Sequence, residues 1–256
     1  MIRILLFTFV SFMFTACASS MNIEEVREKA IKGDAKSQFD IGYILETKEG
    51  DVINALAWYE KSANKNYAIA QNWLGNVYLE GRLLQKKDYN KAFFWYKKSA
   101  DNGYFDAINN LAYMYDLGYG TKEDNKKAAE LYELAATKGS IRGAKNLALM
   151  YRDGEGVEKS IDKTIEFSEK AASMGSIKTM YELGLFYETG KYVEKNYIKA
   201  YQWYDLARYY TSFSKDMNLK WSIRARLDDL KQIMSPYDIE KAKDLASKWN
   251  QANQAK

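Results

Sequence analysis

The sequence predicts an all-α fold, a right-handed α-solenoid of about five antiparallel helical hairpins closed at each end by capping helices. Three observations carry this prediction. One phrase recurs as AWYEKSANKNY from Ala57, FWYKKSADNGY from Phe94, ELYELAATKGS from Glu130, EFSEKAASMGS from Glu166 and QWYDLARYY from Gln202, at steps of 37, 36, 36 and 36 residues. A fixed period in this range is the mark of a repeat array. A second phrase, a leucine beside a small residue, alternates with it at Leu74-Gly75, Leu111-Ala112, Leu147-Ala148 and Leu183-Gly184, with Ile41-Gly42 as its first copy; Leu45, Tyr78, Tyr115, Tyr151 and Tyr187 follow four residues later. The 256 residues include a single proline, and abundant alanine, leucine, lysine and glutamate favour helices joined by glycine turns.

The elements follow in chain order. Residues 1–16, MIRILLFTFVSFMFTA, join one early arginine to an apolar run and small residues, the pattern of a secretory signal peptide. The run is shorter than the roughly 20 residues a membrane-spanning helix needs. Residues 17–22 form a short linker that starts at the only cysteine, Cys17. Residues 23–33 carry Ala30 and Gly33 at the spacing of a second hairpin helix without its first, and are read as an N-terminal cap. Residues 34–210 hold the five repeats, in which neither helix of a hairpin can bury its apolar face alone. In the third, Ala107, Leu111 and Tyr115 share one stripe of the first helix, while Ala128, Leu131, Tyr132 and Ala135 face inward from the second. Gly103, Gly139 and Gly175 are expected to turn the chain into the next unit through left-handed backbone, with Asn66 doing so in the first. Trp95 is expected at a repeat interface. Residues 211–256 are read as C-terminal capping helices, the last with Ser235 as N-cap, Pro236 at the first helical position and an apolar stripe of Ile239, Ala242, Leu245, Ala246 and Trp249.

Composition narrows the chemistry. The absence of histidine removes the usual general base and the commonest metal ligand. A single cysteine supplies neither an internal disulfide nor a thiolate metal cluster. The formal net charge of +4 is spread evenly, with lysines alternating with acids rather than forming the basic stripe of a nucleic-acid reader. The acidic pairs Glu123-Asp124 and Asp228-Asp229 are adjacent residues that do not point together. Gly118-x-Gly120 and Gly154-x-Gly156 lie between helices, without the strand and third glycine of a nucleotide loop. No catalytic residue, cofactor or metal site is predicted, and the aromatics are read as core rather than as sugar-stacking platforms.

The repeat pattern closely resembles the Sel-one-like repeat family, a relative of the tetratricopeptide repeats. Leu74-Gly75, Tyr78, Gly81, Asp88, Lys91-Ala92, Trp95-Tyr96, Ala100 and Gly103 match its motif in order, as do Ala107, Tyr115, Gly118, Gly120, Lys127-Ala128 and Ala135-Ala136. The first unit departs most, because Thr47 to Asp51 lacks the two-glycine loop. Some family members are disulfide-braced, which this chain is not. FTAC, ending at Cys17, resembles a bacterial lipoprotein signal, with Phe14 where that group favours leucine; it implies lipidation of Cys17. Ala18 in place of an inner-membrane-retaining aspartate implies an outer-membrane lipoprotein facing the periplasm. Without lipidation the same leader implies a secreted or periplasmic protein.

The resemblance implies a protein–protein interaction module that binds a protein or extended peptide in the groove of the array. Its sharper form is an immunity protein that blocks a secreted antibacterial effector, and the alternative is a factor that binds or remodels peptidoglycan. On a helical wheel with the repeat leucine as core direction, positions one and two before it and two after it fall on the far half. They hold Asn72, Trp73 and Asn76 in the second unit, Asn109, Asn110 and Tyr113 in the third, Lys145 and Asn146 in the fourth, and Tyr181 and Glu182 in the fifth. This amide-rich ladder, with flat aromatic contacts, is the expected partner-binding surface.

Overall fold

A computed structural model describes residues 23–212 and 214–254. The expected leader, the lipidation site Cys17 and the linker that follows it lie outside these residues. Thirteen α-helices account for the described chain, and no strand occurs among the described residues. The chain divides into two compact units, at Tyr104 and Phe105.

The first unit contains α1 (Ile23–Ile31), α2 (Ala35–Ile44), α3 (Val52–Asn64), α4 (Ala68–Glu80) and α5 (Tyr89–Asp101). The second contains α6 (Phe105–Leu117), α7 (Asn125–Thr137), α8 (Ile141–Asp153), α9 (Ile161–Ser173), α10 (Ile177–Thr189), α11 (Tyr197–Thr211), α12 (Met217–Ile233) and α13 (Pro236–Gln254). The pairs α2/α3, α4/α5, α6/α7, α8/α9 and α10/α11 are the antiparallel hairpins of an all-α repeat fold, and each second helix also packs on the first helix that follows it in its unit.

Local chemistry sets the helix ends. Every second helix opens on a residue whose side chain accepts a backbone N–H three positions on: Asp51, Asp88, Asp124, Ser160 and Asn196. Each cap satisfies one orphan donor of the first turn. The turns out of these helices pass through positive φ at Asn66 (62°), Gly103 (80°), Gly139 (95°) and Gly175 (92°), as their sequence positions predict. In the first hairpin the missing two-glycine loop is replaced by a π-helical turn, Leu45–Glu49, which extends α2 to Gly50.

The hairpin core is built on one tyrosine. Tyr59, Tyr96, Tyr132 and Tyr204 are fully buried, and the rings of Tyr59, Tyr96 and Tyr204 lie over Gly42, Gly75 and Gly184 of the partner helix. The fourth repeat has Ser168 at this position. Its neighbour Phe167 is buried instead and stacks on Tyr151, with centroids 5.7 Å apart. The preceding tryptophan plays a smaller part than the sequence suggests. Trp58 and Trp95 are only half-buried, whereas Trp203 is buried because α13 lays Trp249 across it at 5.2 Å. The tryptophan position sits at the rim of the hairpin and is covered only where another helix crosses it.

The flanking helices continue the packing pattern. Gln38 donates to the carbonyl of Ala30 in α1 at 3.1 Å, and Gln71 donates identically to Ala63 in α3. α1 therefore stands toward α2 as α3 stands toward α4. At the other end Ser235 accepts the Asp238 N–H at 3.1 Å and donates its hydroxyl to the Asp238 carboxylate. α13 buries Ala242 and Ala246, α12 buries Ile223, Leu227 and Leu230, and all five join the core of the fifth hairpin. Among the described residues no helix is long and apolar enough to cross a membrane.

Candidate functional site

The expected partner-binding residues all lie on first helices, three on α4 in the first unit and seven on α6, α8 and α10 in the second. The structure changes how they are presented. On α4, Asn72 and Asn76 are buried, and the Asn76 side-chain carbonyl accepts the Tyr96 hydroxyl at 2.7 Å. Asn76 thus serves the hairpin core. Trp73 is half-buried, edge-on to Phe39 at 6.2 Å, tilted on Tyr59 at 5.8 Å, and capped by the Arg82 guanidinium at 5.0 Å. The wheel placed these three residues on an open half because it assumed one core direction. A first helix inside the array is held from two sides, as α4 is by α3 and α5, which leaves only a narrow strip open.

In the second unit the repeat brings side chains of successive first helices together. Asn109 is buried; it donates to Asn110 at 3.3 Å and accepts from Asn146 at 3.4 Å, linking α6 to α8 through amides. Tyr113 is half-buried, edge-on to Tyr119 at 6.2 Å. Tyr181 is half-buried and tilts against Tyr204 at 5.5 Å. Lys145 and Glu182 are half-buried on α8 and α10. Burial pushes the Lys145 ammonium below the usual lysine value, Glu182 opposes this, and Lys178 adds to it.

Two columns escaped the sequence reading. Leu149 and Leu185 stand 36 and 72 residues beyond Tyr113, and each is half-buried, so an apolar column runs across α6, α8 and α10. Asp106 and Arg142, also 36 apart, pair at 2.7 Å, and Lys178 is the third member of that column. Following the repeat step from Tyr113 and from Asp106 identifies both columns in the sequence; a search for amides alone passes over them. The wall thus offers amide donors and acceptors, an apolar strip and a local excess of lysine. Among the described residues no group of three or more Cys, Asp or Glu residues is placed to hold a metal ion.

No curated protein matches the chain by sequence. Among solved structures, a protective antigen of uropathogenic Escherichia coli strains with an SLR fold superposes with a TM-score of 0.68 at 26% identity, over 92% of this chain. The present chain spans 58% of the length of that protein. A Sel1 repeat protein from Oxalobacter formigenes gives a TM-score of 0.65 at 30% identity, over 72% of this chain and 75% of its own. A Sel1 repeat protein from Klebsiella pneumoniae shares the fold at 19% identity, with a TM-score of 0.51 over 82% of this chain and its own full length. The Sel1 repeat model matches residues 35–67, 68–104, 105–140, 142–176 and 177–208, one hairpin each, and the chain belongs to the Sel1 repeat family.

Proposed function

We propose that this Sel1 repeat protein holds an extended segment of a protein partner against the first-helix wall of its second unit, and that it works in the bacterial envelope, tethered through Cys17. Sel1 repeat proteins bind protein partners. The observation that carries the reading is the column Tyr113, Leu149 and Leu185, half-exposed beside the Asn109–Asn110–Asn146 amide network. Half-exposed apolar side chains beside amides, which carry both donors and acceptors, suit a peptide, whose backbone needs hydrogen bonds while its side chains need apolar contact. The first unit, with Asn76 and Trp73 engaged in its own packing, contributes rigidity in this reading.

The leader MIRILLFTFVSFMFTAC supports the envelope setting. The sharper form is an immunity protein whose wall occupies a secreted antibacterial effector. The test is affinity capture from envelope extracts with the purified chain and with an Asn110→Ala/Asn146→Ala/Leu149→Asp variant of unchanged helicity. One partner held by the parent and lost by the variant supports the wall. Equal recovery by both places binding elsewhere. An effector toxin as the captured partner supports the immunity form, and retention on peptidoglycan without a protein partner favours the wall-binding alternative.

A further inference from the structure

The wall of the second unit has an uneven charge pattern. Its columns run Asp106, Arg142, Lys178; Asn109, Lys145, Tyr181; and Asn110, Asn146, Glu182. Asp106 neutralises Arg142 at 2.7 Å, and the other arginine of α8, Arg152, is held bidentately by Asp153. Lys145 and Lys178 remain, near enough for each to act on the other, with Glu182 as the one carboxylate acting on Lys145. Neither lysine forms an ion pair among the described residues. Half-buried Lys145 and exposed Lys178 are thus neighbouring cations with one anion beside Lys145, and a second anion would relieve both their repulsion and the cost of burying Lys145.

The apolar column sets the spacing of what binds. Successive first helices, bridged side chain to side chain as Asn146 is to Asn109 and Arg142 to Asp106, lie about one helix diameter, ~10 Å, apart, and an extended chain advances about 3.3 Å per residue. Side chains at every third position of an extended segment therefore meet Tyr113, Leu149 and Leu185 in turn. Resting on the peptide-binding reading above, we propose that this wall recognises an extended protein segment with an apolar residue at every third position and a carboxylate, in the spacer between the second and third contacts, that seats between Lys145 and Lys178. Charge complementarity selects this occupant: a basic segment would meet two lysines, and a neutral one would leave them unbalanced.

The probes are fluorescein-labelled heptapeptides with leucine at every third position and serine between, carrying one glutamate, glutamine or lysine in either spacer so that both chain directions are sampled. Fluorescence anisotropy with the full chain should show the glutamate peptide of one direction binding at least about fivefold tighter than its glutamine counterpart, with the lysine peptide weakest and the preference fading as salt is raised. Lys145→Met should equalise the glutamate and glutamine peptides while keeping the leucine-dependent part. Leu149→Asp should weaken all of them. Thermal melts establish that both variants fold. Equal affinity for glutamate, glutamine and lysine peptides overturns the carboxylate assignment while the peptide-binding reading stands. Glutamate-peptide binding untouched by Leu149→Asp overturns both. If no heptapeptide binds but a natural partner is captured through the wall, the three-residue register is overturned and the reading beneath it survives.

Discussion

Gly75 faces the ring of Tyr96 so closely that a β-carbon at Gly75 would stand 2.4 Å from two ring carbons. Gly184 meets Tyr204 at the same distance, and Gly42 meets Tyr59 at 2.8 Å. The leucine-glycine phrase of one helix and the tyrosine of the next are thus two halves of one contact, so Gly75→Ala should destabilise the protein despite its better helix propensity. Overpacking costs about 1–3 kcal/mol and the alanine returns up to about 1 kcal/mol. A net loss of about 1–2 kcal/mol in urea unfolding is expected, and an unchanged or higher midpoint would show that the ring yields.

Tyr96 and Trp95 separate rim from core. Tyr96→Ala removes a fully buried ring and its hydrogen bond to Asn76, and should cost about 3–5 kcal/mol. Trp95→Ala, at a half-buried position, should cost less than half as much. Equal losses in denaturant midpoints would refute the assignment of the tryptophan to the rim.

A tyrosine–glutamate–arginine arrangement occurs in each unit. Tyr59 donates to Glu46, which also pairs with Arg82 at 2.7 Å. Tyr204 donates to Glu188, which pairs with Arg226 of α12 at 3.2 Å. Burial, reinforced by the neighbouring carboxylate, holds both phenols protonated far above their ordinary range. Tyr204→Phe removes a donor to a half-buried anion and should cost about 1.5–3 kcal/mol. Arg226→Met should loosen α12, which hydrogen exchange would register as faster exchange in residues 217–233 than in α8. Uniform exchange across both helices would exclude this anchoring role.

Lys145 makes the protein's stability depend on pH with a defined sign. Its folded value lies below the unfolded lysine value of about 10.4, principally because of burial, with Lys178 lowering it further and Glu182 acting in the opposite direction. The unfolded chain binds the proton more tightly, so the penalty is fully present below the folded value and is relieved as pH rises toward the unfolded one. Lys145→Met should be neutral or stabilising by about 1 kcal/mol at pH 7, and that advantage should shrink as pH approaches about 10. An advantage that grows with pH in parallel melts would reverse the sign assigned to Lys145.

The envelope proposal is tested at the anchor. Cys17→Ala should abolish incorporation of labelled fatty acid and move the protein from the membrane fraction to the soluble fraction in cells. Continued incorporation of label would end the lipoprotein reading.

The number of the hairpins was legible in the sequence, because each rests on interactions within about forty residues: a phrase that returns every 36 or 37 positions, an aspartate or its equivalent opening each second helix, and a left-handed turn at Gly103, Gly139, Gly175 or Asn66. These are local choices of backbone angle and cap, written where they act. Which far-side residues stay open was not legible, because that depends on helices packing from two directions at once. Asn76 has the composition of a ligand contact and is spent on Tyr96. Leu149 and Leu185 are apolar yet remain half-exposed beside the amides. The sequence by itself determined the repeat and its turns; only the tertiary structure decided which strip of each first helix is free, since burial is a property of the neighbours rather than of the residue.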